Sequence, residues 1–201
     1  MNVPAIAKKT YEELKNHAEF KGIVEFIVQH LMKIPHAHRR ARFIHQVVDE
    51  YNEEVFGHPL VQQFSPCKMG CSACCHTQVS VTEDEAKLLV HRIEGGVEID
   101  RERLALQMTA QDDAEAFYKL SYEERKCVFL GENGACRVYE DRPSVCRSNA
   151  VIGEAEQCDT SVSIKPTRLI KTPKADLAVY ASYLYSESGG VLPHMIGKIL
   201  K

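Results

Sequence analysis

The stretch Cys67-Lys-Met-Gly-Cys71-Ser-Ala-Cys74-Cys75-His76 puts four thiols and an imidazole within ten residues. Cys71-Ser-Ala-Cys74 has the two-residue gap that lets a tight turn aim both sulfurs at one metal ion. Gly70 gives the adjoining backbone freedom to turn. Cys67 stands four residues before Cys71. The neighbours Cys74 and Cys75 differ from these, because adjacent side chains diverge. That pair points to two metals, to a cluster, or to one metal and a separate reactive thiol. Thiolates gathered this closely suit soft and borderline metals, and the expected fold is a set of helices around a cysteine-rich loop stapled by metal.

Working outward, Cys127, Cys136, Cys146 and Cys158 all lie downstream of the loop, and the flanks hold no cysteine. Eight thiols would fill two four-cysteine zinc sites or two cubane iron–sulfur clusters, or one site with thiols to spare. At 201 residues and 44% hydrophobic the chain can build a core without cross-links, which counts against a disulfide scaffold. Charge is nearly balanced, 25 basic against 28 acidic residues, so no global field invites nucleic acid or a membrane surface. The start lacks an apolar signal core, and no segment reaches the ~18 apolar residues of a membrane span. The expectation is a cytoplasmic protein whose cysteines stay reduced and bind metal.

Helical periodicity predicts a helix over 10–34, with Thr10 and Glu13 as a capping box and Ile23, Ile27 and Leu31 on one face. A second is predicted over 39–55, antiparallel to the first. Thr82-Glu-Asp-Glu85 is another capping box, opening a helix that Gly95-Gly96 stops. A helix over 101–120 follows. Cys127 to Tyr139 reads as a β-hairpin turning at Asn133-Gly134, with a short helix after Pro143 carrying Cys146. A last helix is expected over 175–186, with Leu177, Tyr180, Ala181 and Leu184 on one face. The fold class is mainly α with a small β-hairpin, divided into an N-terminal helical pair (1–63), a cysteine-cluster domain (64–160) and a C-terminal helical extension (161–201) packing on the same domain. Nucleotide-binding glycine loops and the nucleophile elbow are absent. Cys67-x3-Cys71-x2-Cys74 has the spacing of a radical S-adenosylmethionine cluster, but the helical context does not suit the barrel such enzymes resemble. His36, His38 and His45 with Arg39, Arg40 and Arg42 read as a solvated basic helix start or as an anionic partner site. Lys165, Arg168, Lys171 and Lys174 read as a solvated loop.

Taken together, Cys67-x3-Cys71-x2-Cys74-Cys75, Cys127-x8-Cys136, Arg137-Val-Tyr139-x2-Arg142-Pro143-x2-Cys146-Arg147 and Cys158 closely resemble the YkgJ-like cysteine-cluster family, the CxxCxxCC-type zinc- or iron-chelating domain. The resemblance covers about residues 64–160. It implies that Cys67, Cys71, Cys74, Cys75, Cys127, Cys136, Cys146 and Cys158 chelate zinc or iron. An iron–sulfur cluster is the close alternative, since a larger relative, the flagellin lysine N-methylase, carries a similar region linked to such a cluster and to methyl transfer. An enzyme acting on protein side chains and a zinc-stapled module with a protein partner are the other readings. The first gap is three residues where the family pattern has two, and Ser148-Asn149 replaces an aromatic after the last Cys-Arg. Arg142 and Arg147 can donate hydrogen bonds to the thiolates and offset their charge, or pair with Asp141 or Glu140 to pin the hairpin. His76 is a ligand or a donor behind the ligands.

Overall fold

The computed structural model describes residues 3–161 and 170–200. The helices are α1 (Ala5–Leu14), α2 (Ile23–Leu31), α3 (Ala37–Phe56), α4 (Pro59–Phe64), α5 (Glu83–Glu94), α6 (Arg101–Met108), α7 (Ala114–Lys119), α8 (Ser144–Ser148), α9 (Pro173–Tyr185) and α10 (Leu192–Ile199). Two short strands, β1 (Ser80–Thr82) and β2 (Gly189–Val191), pair antiparallel, with Val81 opposite Gly190.

Helix α9 is the axis of one half of the molecule. Ala175, Leu177, Ala178, Val179, Ala181, Ser182 and Tyr183 are all buried, spread over more than one face, as befits a helix largely enclosed by neighbours. Its small residues let α1, α2 and α3 pack closely around it. Ile27, Leu31, Ile44 and Val48 supply the apolar faces of α2 and α3, each worth roughly 1.5–3 kcal/mol on burial. Leu184, expected on the packed face of α9, is 49% exposed. A second core joins β1, α5, α6 and α10 through Val81, Leu89, Leu104, Val128, Phe129, Met195 and Ile196, and Cys127 and Cys136 pack against its edge.

Several sequence expectations change. The helix expected over 10–34 is two helices separated by turns over 15–22, which end at Gly22, whose φ of +91° suits glycine. Thr10 lies inside α1 rather than at its start, and α1, α2 and α3 each pack on α9 in place of an antiparallel pair. The helix expected over 101–120 breaks between Met108 and Ala114, where Gln111 turns to φ 50° and Asp113 caps α7. Other expectations hold. The capping box of α5 is complete. The segment after Cys127 folds back at Asn133-Gly134, with Gly131 N donating to Ala135 O at 2.9 Å and a single bridge between Leu130 and Cys136. That hairpin is therefore minimal. The longer strand pair, β1 with β2, joins distant parts of the chain.

Asp176 sits in the first turn of α9 against α1, where Thr10 Oγ1 donates to its Oδ2 at 2.9 Å. Burial pushes the carboxyl up to about 6 from 3.8, against the lowering effect of the Thr10 bond. The folded state thus holds the proton more tightly than the unfolded chain. This contribution to stability is complete below pH ~4 and is lost as pH rises through about 6. Asp176→Asn is expected to stabilise the protein by about 1–2 kcal/mol at pH 7.5 and by much less at pH 4.5. Urea unfolding at the two pH values checks this, and a variant that is less stable at pH 7.5 would contradict it.

Candidate metal centre

The cysteine loop leaves α4 at Ser65, whose Oγ accepts from Cys67 N at 3.3 Å. Gly70, at φ +91°, reverses the chain, and Cys71 N donates to Lys68 O at 3.0 Å. A 3₁₀ turn over Ala73–His76 then carries the adjacent thiols. Thr77 Oγ1 closes the turn on Cys74 O at 2.7 Å. Three further segments converge here. Cys127 N donates to Cys75 O at 2.7 Å, which ties the minimal hairpin to the loop. At the tip of that hairpin, Gly134 comes so near that an added Cβ would lie 3.3 Å from Gly70 O. Helix α8 brings Cys146, and a 3₁₀ turn over Ala155–Cys158 packs against the Ala73–His76 turn to bring Cys158. All eight cysteines are free thiols. Cys67 is exposed and the other seven are partly buried.

Cys74 is the electrostatic centre of the set. A negative charge on it raises the thiols of Cys71, Cys75, Cys127, Cys136, Cys146 and Cys158. Its own thiol is held below the ordinary range by a hydrogen bond from Cys75, then by the Asn149 amide and the Arg142 guanidinium, against the effect of burial. Cys75 is displaced upward in return, by its bond to Cys74 and by burial. Burial raises Cys127 to about 11 and Cys146 well above the ordinary range. Around Cys74 the neighbours fall into two overlapping groups. On the core side Cys127 and Cys146 raise Cys75, and Cys136 raises Cys127 and Cys146. Cys158 senses Cys67 and Cys71 on the open side, and burial holds it at about 11.

Polar side chains frame the thiols. His76 is buried. Its Nδ1 lies 3.0 Å from Tyr122 O, which assigns the ring proton to Nδ1 and leaves Nε2 the lone pair. The ring stacks on Tyr122 at 3.9 Å. Arg125, also buried, donates to Thr160 Oγ1 at 2.9 Å and to Thr160 O at 3.0 Å, fastening the segment after Cys158 to the one before Cys127. Arg142 lies 3.9 Å over the Tyr139 ring. With Arg147 it lowers the Cys136 thiol, although burial dominates there and leaves that thiol raised. The salt bridges expected of these two arginines run elsewhere. Arg147 pairs with Asp49 of α3 and donates to the carbonyls of Glu140 and Arg142, while Asp141 is taken by Arg42 and Arg92.

The basic run at the start of α3 is not simply solvated. Arg40 holds Asp84 through two bonds of 2.7 Å, Arg42 holds Asp141, and His38 stacks on His91. Lys174 binds Glu54, whereas Lys165 and Arg168 lie outside the described residues. Asn149 at Cys74 and Asp49 behind Arg147 were not singled out from sequence. Asn149 follows directly on Cys146-Arg147-Ser148, a closeness to the motif that is its only signal there.

Among the described residues no group of three or more His, Cys, Asp or Glu side chains is spaced to hold a metal ion. The donor chemistry nonetheless fits zinc or iron, with reduced sulfur throughout, one thiol predisposed to ionise and arginines to offset the charge. Cysteine segments brought together and framed in this way are the mark of a cysteine-cluster site. Residues 66–163 match the family model CxxCxxCC, described as "Putative zinc- or iron-chelating domain". No curated protein and no solved structure matched the chain. No described helix is long and apolar enough to cross a membrane.

Proposed function

We propose that the protein chelates zinc or iron through its eight cysteines, in the reducing cytoplasm where they remain thiols. The observation that carries this reading is the convergence of the cysteine segments, with Cys127 N bonded to Cys75 O at 2.7 Å and the Cys158 turn packed on the Ala73–His76 turn. Cys75, Cys127, Cys136 and Cys146 form the core-side ligand set, and Cys67, Cys71 and Cys158 form the open-side set with Cys74 between them. Binding would deprotonate the raised thiols, so affinity rises with pH. Arg142 and Arg147 would then offset the thiolate charge. A bound ion cross-links the segments that meet here, and iron adds one-electron chemistry.

An iron–sulfur cluster is the second reading. The adjacent pair favours it, because two diverging thiols beside further cysteines suit a multi-iron unit better than one tetrahedral ion. Anaerobic purification followed by zinc, iron and acid-labile sulfide analysis tests both. The expected result is at least about one metal ion per chain, with thiols that react with an alkylating probe only after chelation. Iron with equimolar sulfide would select the cluster. A metal-free preparation with freely reactive thiols, unable to take up either ion on reconstitution, would sink both readings.

A further inference from the structure

Glu85 carries no thiol and lies outside the cysteine pattern, yet its carboxylate is 3% exposed and bonded on both oxygens. Oε2 does the work of the capping box on α5, accepting from Thr82 N at 3.0 Å and Thr82 Oγ1 at 3.2 Å. A capping box needs nothing more. Oε1 reaches another part of the chain. It accepts from Ser144 N at 2.7 Å and from Ser144 Oγ at 2.6 Å, with His45 Nε2 at 3.2 Å completing its shell. Ser144 is 1% exposed and opens the turn in which Cys146 N bonds to Pro143 O at 2.9 Å. Burying a carboxylate is costly unless its hydrogen bonds are made in full, and here they are. The bonds from His45 and Ser144 more than offset the rise caused by burial and hold the group at about 2, so it is a carboxylate at any physiological pH.

We propose that Glu85 is a positioning residue of the thiolate site, holding Cys146 in place through Ser144. The metal-binding half of this proposal rests on the chelator reading above. The placement of Cys146 does not. Glu85 joins α5, α3 and the Cys146 turn at one buried point, so the fourth core-side thiol is set from behind by a residue some sixty positions away in sequence. Replacing it by glutamine leaves one acceptor oxygen for two groups of donors and turns an NH₂ toward one of them.

The test uses the full chain as wild type, Glu85→Gln, Ser144→Ala and Ile27→Val, the last a core change remote from the thiols. Two readouts are taken. The first is anaerobic titration with Co²⁺, whose sulfur-to-metal charge-transfer intensity reports the number of thiolate ligands. The second is the alkylation rate of Cys146 relative to Cys67 in metal-free protein, read by mass spectrometry. Glu85→Gln is expected to weaken Co²⁺ binding by about 10–100-fold, to lose about one thiolate of charge-transfer intensity, and to speed Cys146 labelling at least ~10-fold relative to Cys67. Ser144→Ala should move both readouts the same way by less, and it decides the matter if Glu85→Gln does not fold. Ile27→Val should lower the unfolding midpoint and leave both readouts alone, which separates positioning from general loss of stability. Unchanged Cys146 labelling overturns the proposal. If the wild type binds no Co²⁺, the chelator reading fails and the labelling ratio alone decides the role of Glu85.

Discussion

Cys74→Ala is expected to abolish tight metal binding by the whole cluster, whereas Cys67→Ala is expected to leave most of it. Both changes remove one thiol, so a simple count of ligands predicts equal losses. The structure separates them. Cys74 lies within electrostatic reach of six other thiols and is the one drawn toward ionisation by Cys75, Asn149 and Arg142. Cys67 is exposed at the rim, where it perturbs Cys71 and Cys158. Loss of an outer hydrogen-bond partner of a metal site already costs about 10–100-fold in affinity. Loss of the central thiolate should exceed that, at 10³-fold or more in order of magnitude, because metal binding to such a site is also folding of the segments it joins. Competition against a chromophoric chelator measures it. Equal losses in the two variants would contradict the central role of Cys74.

The second large effect is expected from Arg147→Ala. This guanidinium is buried, and it is the only group described that reaches Asp49 of α3, the carbonyl of Glu140 and the carbonyl of Arg142 together. It therefore locks the end of the hairpin to α8 and both to α3. Asp49 is half exposed, so water screens much of that pair. The larger part of the cost comes from two carbonyls left without a donor and from the space vacated. Together these give a destabilisation of about 3–5 kcal/mol, the range seen when one partner of a buried charged network is removed. Arg147→Lys should recover little, since one ammonium does not reproduce a planar fork. Urea unfolding gives the answer, and a loss under about 1 kcal/mol, or full recovery with lysine, would refute this account.

What the sequence revealed was local. The spacing of Cys67, Cys71, Cys74 and Cys75 marked the site, Thr82 and Glu85 marked the start of α5, and Asn133-Gly134 marked a reversal. Each signal lies within a few residues of its consequence. The breaks at Gly22 and Gln111 were hidden because helical periodicity runs on across a short interruption. The β1–β2 pair was hidden for a different reason. Two strands of three residues, more than a hundred positions apart, have no pattern long enough to read. The framing of the site was illegible in the same way. Asp49 and Glu85 reach the cysteine segments through space, and nothing in their own neighbourhoods announces it. A capping-box glutamate looks the same whether its second oxygen meets water or Ser144.

The pairing of β1 with β2 has a consequence for the order of events during synthesis. The ribosome makes the chain from its N-terminus, and Ser80–Thr82 emerges long before Gly189–Val191. Until β2 and α10 have been made, the edge of β1 is open and the core against which Cys127 and Cys136 pack lacks Leu192, Met195 and Ile196. Cys127 and Cys136 thus spend their first moments against an incomplete core. The apolar wall behind Cys127 and Cys136 is therefore completed only when Leu192, Met195 and Ile196 have joined that core.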